Sequence, residues 1–342
     1  MTVKELGGTC FVWTTRCIAA LTVPLTDITL EAGDMAHQGL ESLPFIGEGR
    51  IAETLTWRSL IDAMEDAMTA FSAGRVVQPI RQMNSVPGQD AIIVAMPAIG
   101  EAMGVKVVTL YHGNAGTDIP THQAVILLFD KSNGSPIAAL DGRLITEMRT
   151  AAGSAAAARK LAVEDARVVT IMGNGVQARA HAAALAEVRP FDELRLWARN
   201  EKRGRSVAEE IGARFFPAAE KAVRDADIIA CTTGAKEPVL EGAWLKPGAF
   251  VTAVGWNTSD GRELDDEAMG HTVIVESVEL ANDQAGNVRG SGCRVFAEIG
   301  EIYAGTKVVP DGATTVFDSV GMAIMDVAAA DLAFKLAGRD GN

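Results

Sequence analysis

A glycine-rich turn near the middle of the chain could bind a dinucleotide. Residues 167–172, Arg-Val-Val-Thr-Ile-Met, run directly into residues 173–178, Gly-Asn-Gly-Val-Gln-Ala. In a Gly-x-Gly-x-x-Ala turn, the first glycine permits a tight bend and the second lets a pyrophosphate approach the backbone. A tight turn of another α/β protein is the alternative, but the strand before and the helix after favour the nucleotide site. The candidate cofactor residues here are Gly173, Asn174, Gly175, Val176 and Gln177.

The next predicted strand, 194–197, indicates which nicotinamide cofactor is bound. Its tip is formed by Ala198, Arg199 and Asn200. An acidic residue at this place reads the ribose 2′-hydroxyl of NAD, whereas Arg199 is suited to a 2′-phosphate, with Lys202 or Arg203 in support. We therefore expect NADP(H). A slip of one residue would bring Glu201 to the tip and favour NAD(H), and a solvated helix start is the remaining interpretation.

Three cations in apolar surroundings precede the nucleotide motif. Arg81 follows Pro-Ile, Lys106 interrupts the valine-rich run 105–108, and Arg149 falls in the first turn of an alanine-rich helix. A buried lysine is costly without an anionic partner, so Lys106 either points to water from an edge strand or faces an anion. Together the three would clamp a carboxylate, since arginine offers planar bidentate contacts and lysine a point charge.

The composition restricts the partners of this chain. A net charge of −13 argues against nucleic acid, which needs clustered lysine and arginine. Four cysteines without a Cys-x-x-Cys pair and five histidines without a His-Glu-x-x-His pattern argue against a metal site. No stretch reaches the ~20 apolar residues of a membrane span. We expect a cytoplasmic protein that acts on a small molecule.

The elements that position these residues fall into two groups. A helix is predicted after the cap residue Thr56 and ends near Gly74. Short strands follow with little helix between them, which favours a mixed or antiparallel sheet. Those strands are predicted at 91–96, 105–111, 124–129 and 136–140, the last two joined as a hairpin through Asn133-Gly134.

The second group alternates strands with helices. The alanine-rich helix is expected at 146–161, and strands are expected at 168–172, 194–197, 228–231, 250–254 and 273–276. A βαβ series of this kind predicts a Rossmann-type doubly wound parallel sheet. The final helix, about 321–336, could return to the first group and make that domain discontinuous. We therefore divide the chain into an α+β domain of residues 48–147 plus 315–342 and an inserted nucleotide-binding domain of residues 148–314.

Residues 1–47 are expected to be an amino-terminal extension of unknown role. The apolar stretch 11–30 carries Arg16, and a signal peptide would have a cleaner apolar core. Translation from upstream of Met35 is the interpretation we favour over a targeting signal.

Several sequence blocks, taken together, resemble the ornithine cyclodeaminase/mu-crystallin family. They occur in order and cover about residues 50–337: 105–111, 120–124, 140–142, 145–152, 173–178 and 315–321. Within the family the resemblance is to the mu-crystallin, or ketimine reductase, branch through 128–129, 132–134, 246–249 and 262–266.

The resemblance implies a homodimer whose discontinuous domain supplies the dimer contacts and the substrate site. By position, it implies that Arg81, Lys106 and Arg149 hold the substrate carboxylate. It also implies that Thr121, His122 and Arg149 contact the cofactor, although a hydrogen-bonded loop histidine is the plainer interpretation of His122. It further implies that the nucleotide or nicotinamide is lined by Thr232, Thr233, Val254 and Val320.

One position departs from the cyclodeaminase branch. Those enzymes carry an aspartate, after the fifth Rossmann strand, that exchanges a proton with the substrate amine, and Asn257 stands at that place. An amide takes no proton at neutral pH, but it can hydrogen-bond an imine nitrogen. Asp260, three residues later, is the alternative catalytic acid, and a solvated loop carboxylate is its plainer interpretation.

These residues predict NADPH-dependent reduction of α-imino acids to L-amino acids. Cyclic ketimines such as Δ1-pyrroline-2-carboxylate or Δ1-piperideine-2-carboxylate are the expected substrates, with Lys106 as first candidate for proton delivery and Asp260 or ordered water next. The alternatives are an ornithine cyclodeaminase with bound NAD, an alanine- or opine-type dehydrogenase, and a non-catalytic NADPH-dependent small-molecule binder.

Overall fold

A computed structural model describes residues 43–255 and 261–339, together with three short strands nearer the amino terminus. Those strands, β1 (Val3–Leu6), β2 (Thr9–Val12) and β3 (Val23–Pro24), form an antiparallel sheet of their own within the unit Met1–Ser42. The extension was expected to reach residue 47, but the second unit begins at Leu43. The reason is that β4 (Phe45–Ile46) hydrogen-bonds to a strand of the second unit.

The first sheet of the unit Leu43–Asn342 has six strands in the order β4-β9-β8-β7-β6-β5. The other five are β5 (Gln82–Ser85), β6 (Ala91–Ile99), β7 (Met103–Tyr111), β8 (His122–Phe129) and β9 (Pro136–Asp141). All neighbours are antiparallel except β4 and β9, so the sheet is mixed, as expected. The hairpin between β8 and β9 turns at Gly134, whose φ of 80° suits glycine.

Four helices pack near this sheet and are α1 (Glu48–Thr54), α2 (Trp57–Ser72), α3 (Gly142–Leu161) and α10 (Ala323–Arg339). Thr56 caps α2 by accepting a hydrogen bond from the Ser59 amide at 3.3 Å. Helix α3 was expected from Thr146, but it begins at Gly142 because the carboxylate of Asp141 accepts hydrogen bonds from the Arg143 and Leu144 amides. Residues 151–158 of α3 are all buried, and these small residues let α3 contact both sheets of this unit.

The second sheet has eight parallel strands in the order β12-β11-β10-β13-β14-β17-β15-β16. They are β10 (Val168–Met172), β11 (Glu193–Trp197), β12 (Arg214–Phe215), β13 (Ile228–Cys231), β14 (Phe250–Ala253), β15 (Thr272–Val275), β16 (Val295–Glu298) and β17 (Thr315–Asp318). The order reverses between β10 and β13, which is the switch point where a doubly wound sheet binds its ligand. The predicted Rossmann-type fold is confirmed.

The last strand requires a correction to the domain boundary. Residues 315–342 were expected to belong entirely to the substrate domain, but β17 lies between β14 and β15 and hydrogen-bonds to both. All four of its residues are buried. Only the helix that follows, α10, returns to pack on the six-stranded sheet.

Six further helices connect the strands of the parallel sheet. They are α4 (Val176–Ala186), α5 (Glu201–Glu210), α6 (Ala219–Val223), α7 (Val278–Gln284), α8 (Gly286–Ser291) and α9 (Ile299–Tyr303). Among the residues that the structure describes, none of the helices has the length and apolar character needed to cross a membrane.

Candidate active site

A cleft of about 560 Å³ opens at the switch point of the parallel sheet. Its lining includes eight of the residues expected to bind the cofactor: Gly173, Asn174, Gly175, Ala198, Arg199, Asn200, Thr232 and Thr233. It also includes residues that sequence reasoning missed, namely Trp197, Gly234, Ala235 and Val239. The carboxyl ends of β10, β11 and β13 thus supply one continuous surface.

The two glycines of the turn differ in what they allow. Gly173 has a φ of 128°, and a Cβ there would lie 2.5 Å from Thr232 Oγ1, so this position requires glycine for the turn itself. A Cβ at Gly175 would meet nothing within 4 Å and would project into open space. Gly175 is the N-cap of α4 and provides no side-chain cap, so the first amides of α4 have no capping side chain and can receive an anion. The turn fits a dinucleotide pyrophosphate.

Two cations lie in the part of the cleft that follows β11. Arg199 and Arg203 both line it. The carboxylate of Glu201 is held by Arg205 at 2.6 Å on the surface of α5, and Glu201 is absent from the lining of this cleft. Asn200 caps α5 by accepting a hydrogen bond from the Arg203 amide at 3.0 Å. The tip of β11 therefore presents positive charge to the cleft.

A second cavity, of about 180 Å³, lies between the two sheets of the same unit. It contains all three predicted cations, together with four other residues expected at the site: His122, Gln177, Val254 and Val320. The inner face of the six-stranded sheet supplies an apolar wall made by Met83, Ile92, Val94, Met96, Val108 and Leu110. Gly175 lines the cleft, and Gln177, two residues later, lines the cavity. The cleft and the cavity therefore lie next to each other at the start of α4.

Lys106 points inward from the middle of β7. It is 2% exposed, and its Nζ lies 2.6 Å from Asp326 Oδ2 of α10. Burial lowers the pKa of Lys106 to about 8, against the opposing charge of Asp326. The edge-strand interpretation of Lys106 is therefore wrong, since β7 pairs with β6 on one side and β8 on the other.

Arg149 reaches the same carboxylate from α3. Its Nε donates to Asp326 Oδ1 at 2.8 Å, while its Nη1 is buried without a hydrogen-bond partner. Gly321 makes room for the guanidinium, because a Cβ at this position would lie 2.6 Å from Nη1. A buried donor without a partner marks a place where an anionic ligand would be stabilised.

Arg81 is tied to the loop that follows β17. Its Nη2 donates to the carbonyl of Val320 at 2.9 Å, its Nη1 to that of Gly321 at 3.1 Å, and its Nε to the side chain of Gln284 at 2.7 Å. Burial lowers the pKa of Arg81 to about 10, and the charge of Arg149 acts in the same direction. Arg81 thus shapes the wall of the cavity in addition to contributing positive charge.

The other side of that loop is held by Glu276, at the end of β15. Its carboxylate accepts from Ser319 Oγ at 2.6 Å and from the Gly321 amide at 2.8 Å. Burial raises the pKa of Glu276, whereas the hydrogen bond from Ser319 and the charge of Arg149 oppose this effect. Arg81 and Glu276 together fix this loop, which lines the cavity.

A buried carboxylate also organises the loops after β13 and β14. Glu263 accepts hydrogen bonds from the amide and hydroxyl of Thr233, at 2.6 and 2.7 Å, and from the Gly255 amide at 2.7 Å. Burial raises the pKa of Glu263 to about 7, and these donors partly counteract it. Glu263 therefore joins the two loops that border the cofactor cleft and the cavity.

The remaining predicted residues fall in different places. Burial lowers the pKa of His122 to about 4, with Lys106 acting in the same direction, so the imidazole is neutral at pH 7. Thr121 and Val176 are exposed and line neither the cleft nor the cavity. Asn257 and Asp260 lie outside the described residues.

Comparison with known proteins identifies the family. Residues 45–337 match the ornithine cyclodeaminase/mu-crystallin family. The chain belongs to this family. The ketimine reductase mu-crystallin of Mus musculus is 42% identical over 284 residues, which cover 80% of this chain and 91% of that protein. The resemblance inferred from the sequence blocks is confirmed.

Solved structures show the same fold. The Δ1-pyrroline-2-carboxylate reductase of Thermococcus litoralis, in complex with NADH and L-proline, is 31% identical, with a TM-score of 0.82, and the match covers 87% of this chain and 98% of that one. An archaeal alanine dehydrogenase dimer with bound NAD is 27% identical, also with a TM-score of 0.82, and the match covers 88% and 97%. The fold of these relatives therefore extends over most of this chain.

Sequence reasoning also missed four buried side chains, three acids and one amide, that hold the site residues in place. Asp326, Glu276, Glu263 and Gln284 bind site residues far away in the sequence. A carboxylate within an apolar stretch of a helix, as Asp326 is within residues 323–330 of α10, was the available signal, because such a group requires a partner when it is buried.

Proposed function

We propose that this protein is a nicotinamide-dependent reductase of α-imino acids, with cyclic ketimines such as Δ1-pyrroline-2-carboxylate or Δ1-piperideine-2-carboxylate as substrates and L-proline or L-pipecolate as products. The observation that carries the proposal is the buried Arg149 Nη1, without a partner, in a cavity that also contains Lys106. A substrate carboxylate would satisfy this donor and place the imine carbon beside the cofactor. The ketimine reductase and pyrroline-carboxylate reductase relatives support it.

The charges of the cavity suit an anionic substrate. Three cations, Arg81, Lys106 and Arg149, face two buried carboxylates, Asp326 and Glu276. Because the cations outnumber the acids, a bound carboxylate would bring the buried site closer to neutrality. Its two oxygens would accept from Arg149 and from a remaining donor of Lys106, and this arrangement would orient the C=N bond.

The proposed chemistry requires a hydride and a proton. A reduced nicotinamide in the cleft supplies the hydride when it is bound. Lys106, with a pKa of about 8, carries its proton at pH 7 and can donate it toward the imine nitrogen. His122 is neutral at this pH, so it acts at most as a hydrogen-bonding group.

The apolar wall favours a substrate whose distal part is hydrocarbon. Met83, Val94 and Met96 lie on this wall. No carboxylate is found among the described residues that line the cavity, so the described lining offers no counter-charge for the terminal ammonium of ornithine or lysine. A ring of methylenes would bury its surface here at no electrostatic cost.

A steady-state assay tests the proposed function. Purified protein is mixed with NADPH or NADH and a panel of cyclic and acyclic α-imino acids, and cofactor oxidation is followed by absorbance. We expect turnover of a cyclic ketimine. Redox-neutral release of ammonia from ornithine would favour a cyclodeaminase instead, and ligand binding without NADPH oxidation across the panel would favour a non-catalytic binder.

NADP(H) is the proposed cofactor form. Arg199 and Arg203 line the cleft, and the nearest acid in sequence, Glu201, is paired with Arg205 on the helix surface. A 2′-phosphate would find Arg199 at the tip of β11, Arg203 in the first turn of α5 and, among the described lining residues, no carboxylate. The relatives with bound NADH and NAD show only that the fold binds a nicotinamide cofactor.

A homodimer is the proposed assembly, formed through the outer face of the six-stranded sheet. Ile93, Ile99 and Val125 are 42%, 43% and 36% exposed and alternate with residues that point toward the cavity and helices. An apolar sheet face of this kind is suited to a second copy, and one solved relative is a dimer. Light scattering should give twice the mass of one chain for the wild type and one chain mass for Val125→Lys, whereas Val308→Lys, at an exposed loop position, should remain dimeric.

A further inference from the structure

We infer that Asp326 is a positioning residue for the proposed reductase, and that its carboxylate orients Lys106 and Arg149 so that their remaining donors face the substrate. This inference rests on the proposed function for its kinetic tests. Asp326 is 0% exposed and is not among the residues that line the cavity, so it acts from behind the two cations.

The geometry joins three elements at one carboxylate. Oδ2 lies 2.6 Å from Lys106 Nζ of β7, and Oδ1 accepts from Arg149 Nε of α3 at 2.8 Å. Asp326 itself is in the first turn of α10, which packs on β7 and α3. Each oxygen therefore holds one cation, and the separation between Lys106 and Arg149 is set by a single rigid group.

The ion pairs leave N–H donors of both cations without partners, whereas a pair with a purely structural role would use these donors. Arg149 uses Nε toward Asp326 and keeps Nη1 without a partner. Lys106 has Asp326 and a long contact of 3.4 Å to Thr146 Oγ1, although an ammonium group has three N–H donors. The unused donors are on the residues that line the cavity, which is where a substrate carboxylate and imine would need them.

Asp326 also helps Lys106 to keep its proton, because its charge opposes the effect of burial on the pKa of Lys106. The charged groups that act on Lys106 are Asp326 from α10, Arg149 from α3 and Arg81 before β5, and Lys106 in turn acts on His122 of β8. Burial and the two arginines lower the pKa of Lys106, and Asp326 is the group that raises it. Burial disfavours ionisation of Asp326 itself, but Arg149 and Lys106 outweigh it and hold its pKa below the ordinary range.

The first test compares two aspartates on the same helix. Asp326→Asn keeps the shape but removes the charge, and Asp331→Asn removes a carboxylate that pairs with Lys335 on the surface. We expect Asp326→Asn to lose about 100-fold in kcat/KM for the ketimine, as misplacement of reacting groups does, and Asp331→Asn to stay within about twofold of wild type. Equal kinetics for Asp326→Asn and wild type would overturn the inference.

The second test is the pH profile, which a merely structural role would not move. A proton donor with a pKa of about 8 predicts that wild-type kcat/KM falls as the pH rises through 8. Loss of the negative charge in Asp326→Asn should move this basic limb to lower pH by about one unit or more. In Asp326→Glu the charge remains, so the limb should return to its wild-type position while kcat/KM stays reduced. A limb that is the same in all three proteins refutes the proposed role.

A third measurement needs no turnover and separates the inference from the proposed function. The rate of acetylation of Lys106 by acetic anhydride is followed against pH by mass spectrometry in the wild type, Asp326→Asn and Asp331→Asn. Only Asp326→Asn should show a lowered Lys106 pKa. If the wild type reduces no imino acid but Asp326→Asn still lowers the pKa of Lys106, only the proposed function is refuted. If the pKa of Lys106 is the same in Asp326→Asn and the wild type, only the inference is refuted. If Asp326→Asn does not fold, Asp326→Glu decides, because wild-type kcat/KM in that variant contradicts positioning.

Discussion

The dinucleotide cleft and the substrate cavity are built in opposite ways. The cleft is made by consecutive residues at the ends of strands, and its central feature, the turn at 173–175, works through backbone amides and missing side chains. The cavity is lined by side chains that include those of β7, α3 and the loop after β17, and buried ion pairs hold Lys106 of β7 and Arg149 of α3 to Asp326 of α10. The first is a local structure, and the second depends on the whole unit.

The cationic residues of the cleft and of the cavity also differ in their exposure to water. Arg199 is exposed at the edge of the cleft, whereas Arg149 is 5% exposed and shares its partner with a second cation. Charged contacts contribute more when water is excluded, so a substitution in the cavity should have a larger effect than one at the cleft edge. Four substitutions test this contrast, and the one that should change activity most is given first.

Replacing Arg149 should have the largest effect. Arg149→Ala removes the donor proposed for the substrate carboxylate and leaves Asp326 with one cation instead of two. Loss of a charged hydrogen bond of ~1.5–3 kcal/mol predicts a fall in kcat/KM for the ketimine of about 10- to 150-fold. The control is Arg159→Ala on the same helix, which breaks only half-exposed pairs with Asp62 and Glu65. Unchanged kinetics for Arg149→Ala would refute the carboxylate clamp.

Replacing Arg199 should have a smaller and more selective effect. Arg199→Ala should raise the KM for NADPH about tenfold, the lower end for a charged contact because the site is exposed, and leave the KM for NADH nearly unchanged. Arg205→Ala is the matched control, since its guanidinium pairs with Glu201 outside the lining of the cleft. Equal changes for the two cofactors would contradict the assignment of the 2′-phosphate to Arg199.

Replacing the two glycines should separate folding from binding. Gly175→Ala adds a Cβ in open space where phosphates approach, so we expect an unchanged melting temperature and a Kd for NADPH raised about fivefold, equivalent to about 1 kcal/mol. Gly173→Ala must adopt a φ of 128° and meets Thr232, so it should lower the free energy of unfolding by about 1–3 kcal/mol. Calorimetry measures the stability of both variants, and cofactor titration measures their Kd for NADPH. A destabilised Gly175→Ala would show that Gly175 is required for the conformation of the turn and not for the approach of the phosphates.

Regular elements with a repeating pattern were predictable. The hairpin of β8 and β9 and the capped helix α2 follow from alternation, turn residues and caps, and the strands β10, β11, β13 and β14 follow from short apolar runs between helices. Two-residue strands such as β4 and β12 were missed, because so short a segment has no period of its own. The placement of β17 between β14 and β15 was missed as well, since strand order is decided by contacts between distant segments.

Features that depend on neighbouring residues could be inferred from the amino-acid sequence alone. The function of the turn 173–178 can be inferred from consecutive residues, because backbone conformation depends mainly on immediate neighbours. The sequence alone was also sufficient to select Lys106 and Arg149 as candidate site residues and to recognise the family resemblance. The folded structure was needed to show that both cations contact Asp326 and that Arg81 and Glu276 hold the loop after β17. It was also needed to show that Glu263 joins the loops after β13 and β14. A buried ion pair forms only where separate elements converge, and the two cations lie 177 residues or more from Asp326 along the chain.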